Sequence, residues 1–171
     1  MKSILTIALV WVSACSVLCA KTFVVPEVGV SITCPNGWKH DAKDNFGFVI
    51  KVVDKRQKIR IHLTNHKDIT TKAAAAISLE WINKRKVGTH HADDVVYSNT
   101  EITTLSGLQG TRNTIGSGSN PEDAYLNRCY FKLPDGRIFC VCIYFYKDKA
   151  FEKEADDVIR ETLKPTGTKS R

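Results

Sequence analysis

Apolar and polar residues follow two different rhythms along this chain. Val28, Val30 and Ile32 alternate with small residues before Pro35-Asn36-Gly37 turns the backbone, with Trp38 just beyond, which predicts a strand and a turn. Phe46 to Val53 is apolar on both faces, whereas Lys58-Ile59-Arg60-Ile61-His62-Leu63-Thr64 alternates strictly. Joined by residues 54–57, these two runs read as a hairpin whose first strand is the more central. The rhythm then changes. From Thr70 or Thr71, Ala73, Ala74, Ile77, Trp81 and the stem of Lys84 recur every three to four positions, and Gly88 stands where a helix stops, so a helix is expected over about 71–87.

Val95 to Leu105 and Leu108 to Ile115 return to strand character around Ser106-Gly107, and Gly116 to Pro121 reads as a flexible loop. Two β-rich runs, Ala124–Leu133 and Arg137–Tyr146, flank Pro134-Asp135-Gly136, a hairpin signal. The second run is apolar on both faces and is expected at the centre of a sheet covered on both sides. Asp148 can cap a closing helix in which Phe151, Ala155, Val158, Ile159 and Thr162 form one stripe, ended by Pro165. The order is three strands, a helix, four strands and a helix. This predicts an α+β fold: a mainly antiparallel sheet of about six to seven strands with helices packed on its faces.

Composition narrows the class. The chain has 171 residues, 43% apolar and 25% charged, which fits one ordinary domain. Residues 1–20 carry Lys2, an apolar run from Ile4 to Val12, and small residues up to Ala20, the layout of an export signal. The run is too short to span a bilayer. Cleavage after Ala20 gives a product starting at Lys21; cleavage before Cys15, in a lipoprotein-like Val12-Ser13-Ala14-Cys15 box, gives a lipidated chain held at a membrane. The remainder reads as a single α+β domain over 21–165 and a flexible tail over 166–171. The net charge of +7 loses only Lys2 with the leader, and the basic residues are scattered, so nucleic-acid binding is not expected.

Candidate chemistry is sparse. Cys34, Cys129, Cys140 and Cys142 follow the leader, an even number in an oxidising compartment. If Asp135-Gly136 forms a two-residue turn, Cys129 stands opposite Cys142, and Cys129, Cys140 and Cys142 share one face. A Cys129–Cys142 disulfide, with Cys34 pairing to Cys140, then competes with buried free thiols and with a zinc site. His90, His91 and Asp93 are metal-ligand types, but adjacent side chains rarely converge on one ion, so the stretch reads first as a solvated polar loop and only then as a metal site. Lys58, Arg60 and His62 share a polar strand face, with His66 just beyond, and suit either an anionic partner or protection of a sheet edge. Trp38, Tyr125, Tyr130, Tyr144 and Tyr146 suit a pocket or the core. There is no nucleophile elbow, zinc-protease helix, phosphate loop or dinucleotide fingerprint, so neither catalysis nor a cofactor is expected.

The element order resembles that of PsbP-like and DcrB-like exported proteins, a fold shared with the Ran-binding nuclear import factor. The residues that carry the resemblance are Ser31-Ile32-Thr33-Cys34-Pro35-Asn36-Gly37-Trp38-Lys39, the Ala-rich helix at 73–82, Leu105-Ser106-Gly107-Leu108-Gln109-Gly110-Thr111-Arg112 and Val158-Ile159-Arg160-Glu161-Thr162-Leu163-Lys164-Pro165. The cysteine-rich last strand departs from the pattern. The resemblance implies an antiparallel sheet between helices, used as a binding or assembly module and not as an enzyme. The expected function is therefore an exported, non-catalytic accessory module with a protein partner, periplasmic or secreted. A small-ligand or metal carrier and a secreted effector are the alternatives.

Overall fold

The computed structural model describes residues 20–42, 47–52, 56–85 and 94–167. The leader through residue 19, with Cys15, and the loop bearing His90, His91 and Asp93 lie outside the described residues, as do the side chains of Trp81 and Lys84. Among the described residues ten strands and two helices follow in the order β1 (Lys21–Val25), β2 (Val30–Cys34), β3 (Trp38–His40), β4 (Phe48–Val52), β5 (Lys58–Lys67), α1 (Thr71–Arg85), β6 (Asp94–Thr103), β7 (Gln109–Ser117), β8 (Ala124–Lys132), β9 (Arg137–Tyr144), α2 (Lys149–Thr162) and β10 (Lys164–Pro165). A short 3₁₀ turn, Pro121–Asp123, precedes β8. Among the described residues no helix is long and apolar enough to cross a membrane.

The main sheet has seven antiparallel strands in the order β3-β4-β5-β9-β8-β7-β6, and β1-β2-β10 form a separate three-stranded sheet. This is the α+β sandwich that the sequence pattern predicts. One face of the main sheet packs Ile59, Ile61, Phe131, Phe139, Val141 and Ile143 against Phe151, Ala155 and Ile159 of α2 and against Val30 and Ile32 of β2. α2 forms because its stripe is apolar and its entry is capped: Asp148 Oδ1 accepts from Phe151 N at 3.0 Å. The Thr162 hydroxyl closes the other end, accepting from Thr33 N at 3.0 Å and donating to Thr33 O at 2.9 Å, which fixes β2 beside the helix.

The opposite face carries α1, which lies across β7 and β8. Its contact stripe is Ala74 and Ala75, both fully buried, while Ile77 is 44% exposed. Small residues let the helix sit close to the sheet, so the expected Ala73, Ala74, Ile77 stripe is rotated by about one position. α1 lies chiefly over β7 and β8, and beside it the same face of β5 and β9 borders a cavity.

Two further expectations are corrected. β5 is interior, between β4 and β9, so its alternating pattern is not that of an edge strand. The chain before β3 contains two strands joined at Gly29, whose φ of 82° reverses the backbone where a side chain would strain it, and both belong to the small sheet.

The decisive local feature is the β8–β9 turn. Leu133 N donates to Arg137 O at 2.8 Å and Gly136 N donates to Leu133 O at 3.0 Å, so the loop is Pro134-Asp135-Gly136, with Gly136 at φ 84°. This three-residue connection, a turn followed by a left-handed glycine, shifts the register by one from a two-residue turn. Cys129 pairs with Val141, Arg128 with Cys142 and Tyr130 with Cys140. Since a one-residue slip exchanges the faces, Cys129 points toward α2, and Cys140 and Cys142 point toward α1.

Candidate functional site

Of the alternatives open for the cysteines, the structure has buried free thiols and not the Cys129–Cys142 and Cys34–Cys140 disulfides: Cys34, Cys129, Cys140 and Cys142 are all free and buried. Cys129 and Cys142 lie on opposite faces of the sheet, and Cys34 of β2 packs on the α2 side while Cys140 packs on the α1 side. Burial pushes the Cys34 thiol up to about 12, with Glu154 adding to the shift. Burial likewise pushes Cys129 far up, which makes both inert as nucleophiles.

Cys140 and Cys142 are different. They floor a cavity of about 530 Å³ between α1 and the open part of β5 and β9, lined also by Arg60, His62, His66, Ser78, Arg128, Tyr130 and Tyr144. Strand register builds the basic wall. Arg60 of β5 stands opposite Cys142, and Arg128 of β8 stands opposite the same residue from the other side. One thiol is thus flanked by two guanidinium groups in a single cross-strand row. In the next row His62 and Tyr130 flank Cys140. Arg128 Nη1 donates to Ser78 Oγ at 3.1 Å, anchoring the wall to α1. Arg60 Nη1 donates to Tyr144 Oη at 3.3 Å. The Lys58 ammonium lies 5.0 Å from the centre of the Tyr144 ring. Among the described residues that line the cavity there is no Asp or Glu.

The two thiols share a hydrogen bond, with their sulfurs 3.6 Å apart. Burial drives Cys140 well above the ordinary thiol value. Cys142 moves the other way, because it accepts the Cys140 S–H and faces Arg128 and Arg60, which together outweigh its burial. Arg128 is held charged: burial opposes its charge, but the facing Cys142, Tyr130, Cys140 and Tyr144 groups outweigh that cost. Burial raises Tyr144 to about 12, with Cys142 adding to the shift.

His62 is pulled down, first by burial and then by Arg60 and Arg128. Unfolding returns it to its ordinary 6.5, so a falling pH protonates the unfolded chain first. The stability that depends on neutral His62 is present above that value and is lost as the pH falls toward the lower folded value. Between pH about 7.5 and about 5 the melting temperature of the protein is therefore expected to fall more steeply than that of His62→Gln. Equal slopes would show that His62 is not held neutral.

Of the residues singled out in the sequence, Lys58, Arg60 and His62 do share one face, and Arg60, His62, His66, Tyr130 and Tyr144 line the cavity. Trp38 does not: it packs on Phe151 in the α2-side core, ring centres 5.3 Å apart. Tyr125 donates to Asp94 at 2.7 Å, and Tyr146 is half exposed beside another cleft. Among the described residues no cluster of three or more His, Cys, Asp or Glu could hold a metal ion. The pattern missed Arg128 and Ser78. A charged residue between Leu126 and Tyr130 was the available signal, but its meaning depends on the register.

Solved structures similar to this arrangement of sheet and helices include the following two. Cyanobacterial PsbP (CyanoP) from Synechocystis sp. PCC 6803 superposes with a TM-score of 0.59 at 12% identity, over 86% of this chain and 92% of that one. Its fold is PsbP-like. A protein from Bacteroides thetaiotaomicron superposes with a TM-score of 0.50 at 18% identity, over 86% of this chain and 48% of its own. No protein-family model and no curated protein matches the sequence. The PsbP-like sandwich supplies the scaffold, and the basic wall with its thiol pair is built on it from this chain's own β5, β8 and β9.

Proposed function

We propose that this chain is an exported, non-catalytic binding or accessory module, and that it takes an anionic group of a protein partner into the cavity beside α1. The observation that carries this reading is the row Arg60, Cys142, Arg128 on the wall of the cavity, whose lining among the described residues is basic, aromatic and polar without a carboxylate. Positive charge held in a half-buried cleft strengthens its attraction for an incoming anion. A carboxylate there would gain charge-assisted hydrogen bonds from guanidinium groups whose planar fork suits it. The leader-like residues 1–20 support export. The PsbP-like fold supports the accessory role that the sequence resemblance implies.

A titration of isotope-labelled protein with hexaglutamate, compared with hexaglutamine, tests the reading. Expected are amide shifts on β5, β8 and β9 around Arg60, Arg128 and Cys142, produced by the acidic peptide and weakened by salt. Shifts on another face, or none with hexaglutamate, would contradict it. The cavity volume of about 530 Å³ also suits a small molecule. A carrier role would be supported by native mass spectrometry showing a bound species that is lost on denaturation.

A further inference from the structure

We infer that Cys142 is a modification site: its thiolate exchanges with small disulfides bearing carboxylate groups and holds the anionic half in the cavity as a mixed disulfide. Three independent features meet at this sulfur. Its two cross-strand neighbours are Arg60 and Arg128, so the site is electropositive where a thiolate and an anionic reagent would both lie. Its strand neighbour Cys140 lies within hydrogen-bond reach, sulfur to sulfur at 3.6 Å, and can hold the thiolate by donating its S–H. Cys142 is buried at 3% exposure but lines the cavity, so a reagent that enters as the lining side chains part comes to it through that basic opening and is sorted by charge on the way. The lowering of the Cys142 thiol agrees with this geometry. Cys34 and Cys129 face the other side of the sheet and are both pushed up by burial, so neither competes.

The step balances without a further oxidant. The Cys142 sulfur forms a bond to one sulfur of the incoming disulfide as the reagent's S–S bond breaks. The departing sulfur leaves with the bonding pair as a thiolate and takes a proton from water. Cys142 is oxidised to the level of a disulfide, and the departing half is reduced to a thiol. Cys140 is a positioning residue here. Two residues along an extended strand are separated by about 6.7 Å between Cα atoms. That is at the upper end of the roughly 4.4–6.8 Å that a disulfide accepts. Closing Cys140 onto Cys142 would hold a disulfide at the far end of that range, away from its favoured distance of about 5.5–6 Å, which favours the mixed disulfide.

The inference uses the cavity of the recognition role but does not need a protein partner. Its readout is a covalent mass, so its failure leaves the peptide titration standing, and a silent titration leaves it standing. Reduced protein is treated separately with dithiodipropionate, a dianion, hydroxyethyl disulfide, which is neutral, and cystamine, a dication, all of similar length. Intact mass and peptide mapping follow the adduct. The expected result is a single half-reagent on Cys142, formed with dithiodipropionate about tenfold or more faster than with cystamine, the neutral reagent falling between. Cys142→Ser abolishes that adduct. Equal rates across the series, an adduct on Cys140 or Cys129 in place of Cys142, or loss of two hydrogens with no adduct would overturn the inference. The comparison is made on the unaltered chain, so it does not depend on a variant folding.

Discussion

Replacing Phe139 with Ala is expected to lower the unfolding free energy by about 3–5 kcal/mol, the usual cost of emptying a buried phenylalanine site. Phe139 is fully buried at the middle of β9, and its ring stacks on its cross-strand partner Phe131 with centres 5.5 Å apart. α2 and the small sheet cover that layer, so neighbours can collapse into the gap only by moving a helix or a second sheet. A domain of this size has about 5–15 kcal/mol in all, so the loss is a large fraction of the total. Denaturant unfolding should show a lower midpoint at an unchanged slope. Ile77→Ala is the contrast: Ile77 is 44% exposed on α1, and its loss should change stability by only about 0.5 kcal/mol. Comparable losses at the two positions would mean that the sheet faces are assigned the wrong way round.

Arg128→Met should have the larger functional effect. Met keeps most of the buried stem and removes the charge, its hydrogen bond to Ser78 and one side of the Arg60, Cys142, Arg128 row. A charge-assisted hydrogen bond contributes about 1.5–3 kcal/mol, so affinity for an acidic peptide should fall by roughly ten- to a hundredfold. Stability should move little, because exchanging a half-buried charge for an apolar side chain of similar volume is often neutral. Arg128→Lys should retain part of the affinity, since the charge stays and the planar fork goes. Unchanged binding by Arg128→Met would remove the cavity from the recognition account.

How much of this was legible follows from what each signal depends on. α2 was readable in full, because its stripe at Phe151, Ala155, Val158 and Ile159 and its Asp148 cap are local features. The central place of β9 was readable too, since a strand apolar on both faces must be covered on both. β5 was placed one position too far out. Its alternation comes from a core face carrying Ile59 and Ile61 and a cavity face carrying Arg60 and His62, and an exposed edge strand produces the same pattern. α1 deceived in a similar way, because a helix that packs through Ala74 and Ala75 leaves Ile77 partly exposed.

The site failed on a single residue of turn geometry. Pro134-Asp135-Gly136 admits both a two-residue and a three-residue connection, and the composition does not choose between them. The structure adopts the longer one, with Gly136 left-handed. That choice takes Cys129 away from Cys142 and puts Arg128 in its place. The thiols were therefore found from sequence, but their neighbours were not.

Those neighbours are what a titration of the cysteines reads most directly. With isotope-labelled cysteine in the folded protein, the Cys142 signal should titrate below the ordinary thiol value of 9.0, while Cys140, Cys34 and Cys129 remain protonated there. In Arg128→Met the Cys142 midpoint should rise. A Cys142 that titrates with the other buried thiols, or is unmoved by loss of Arg128, would contradict the arginine-flanked thiol on which the account rests.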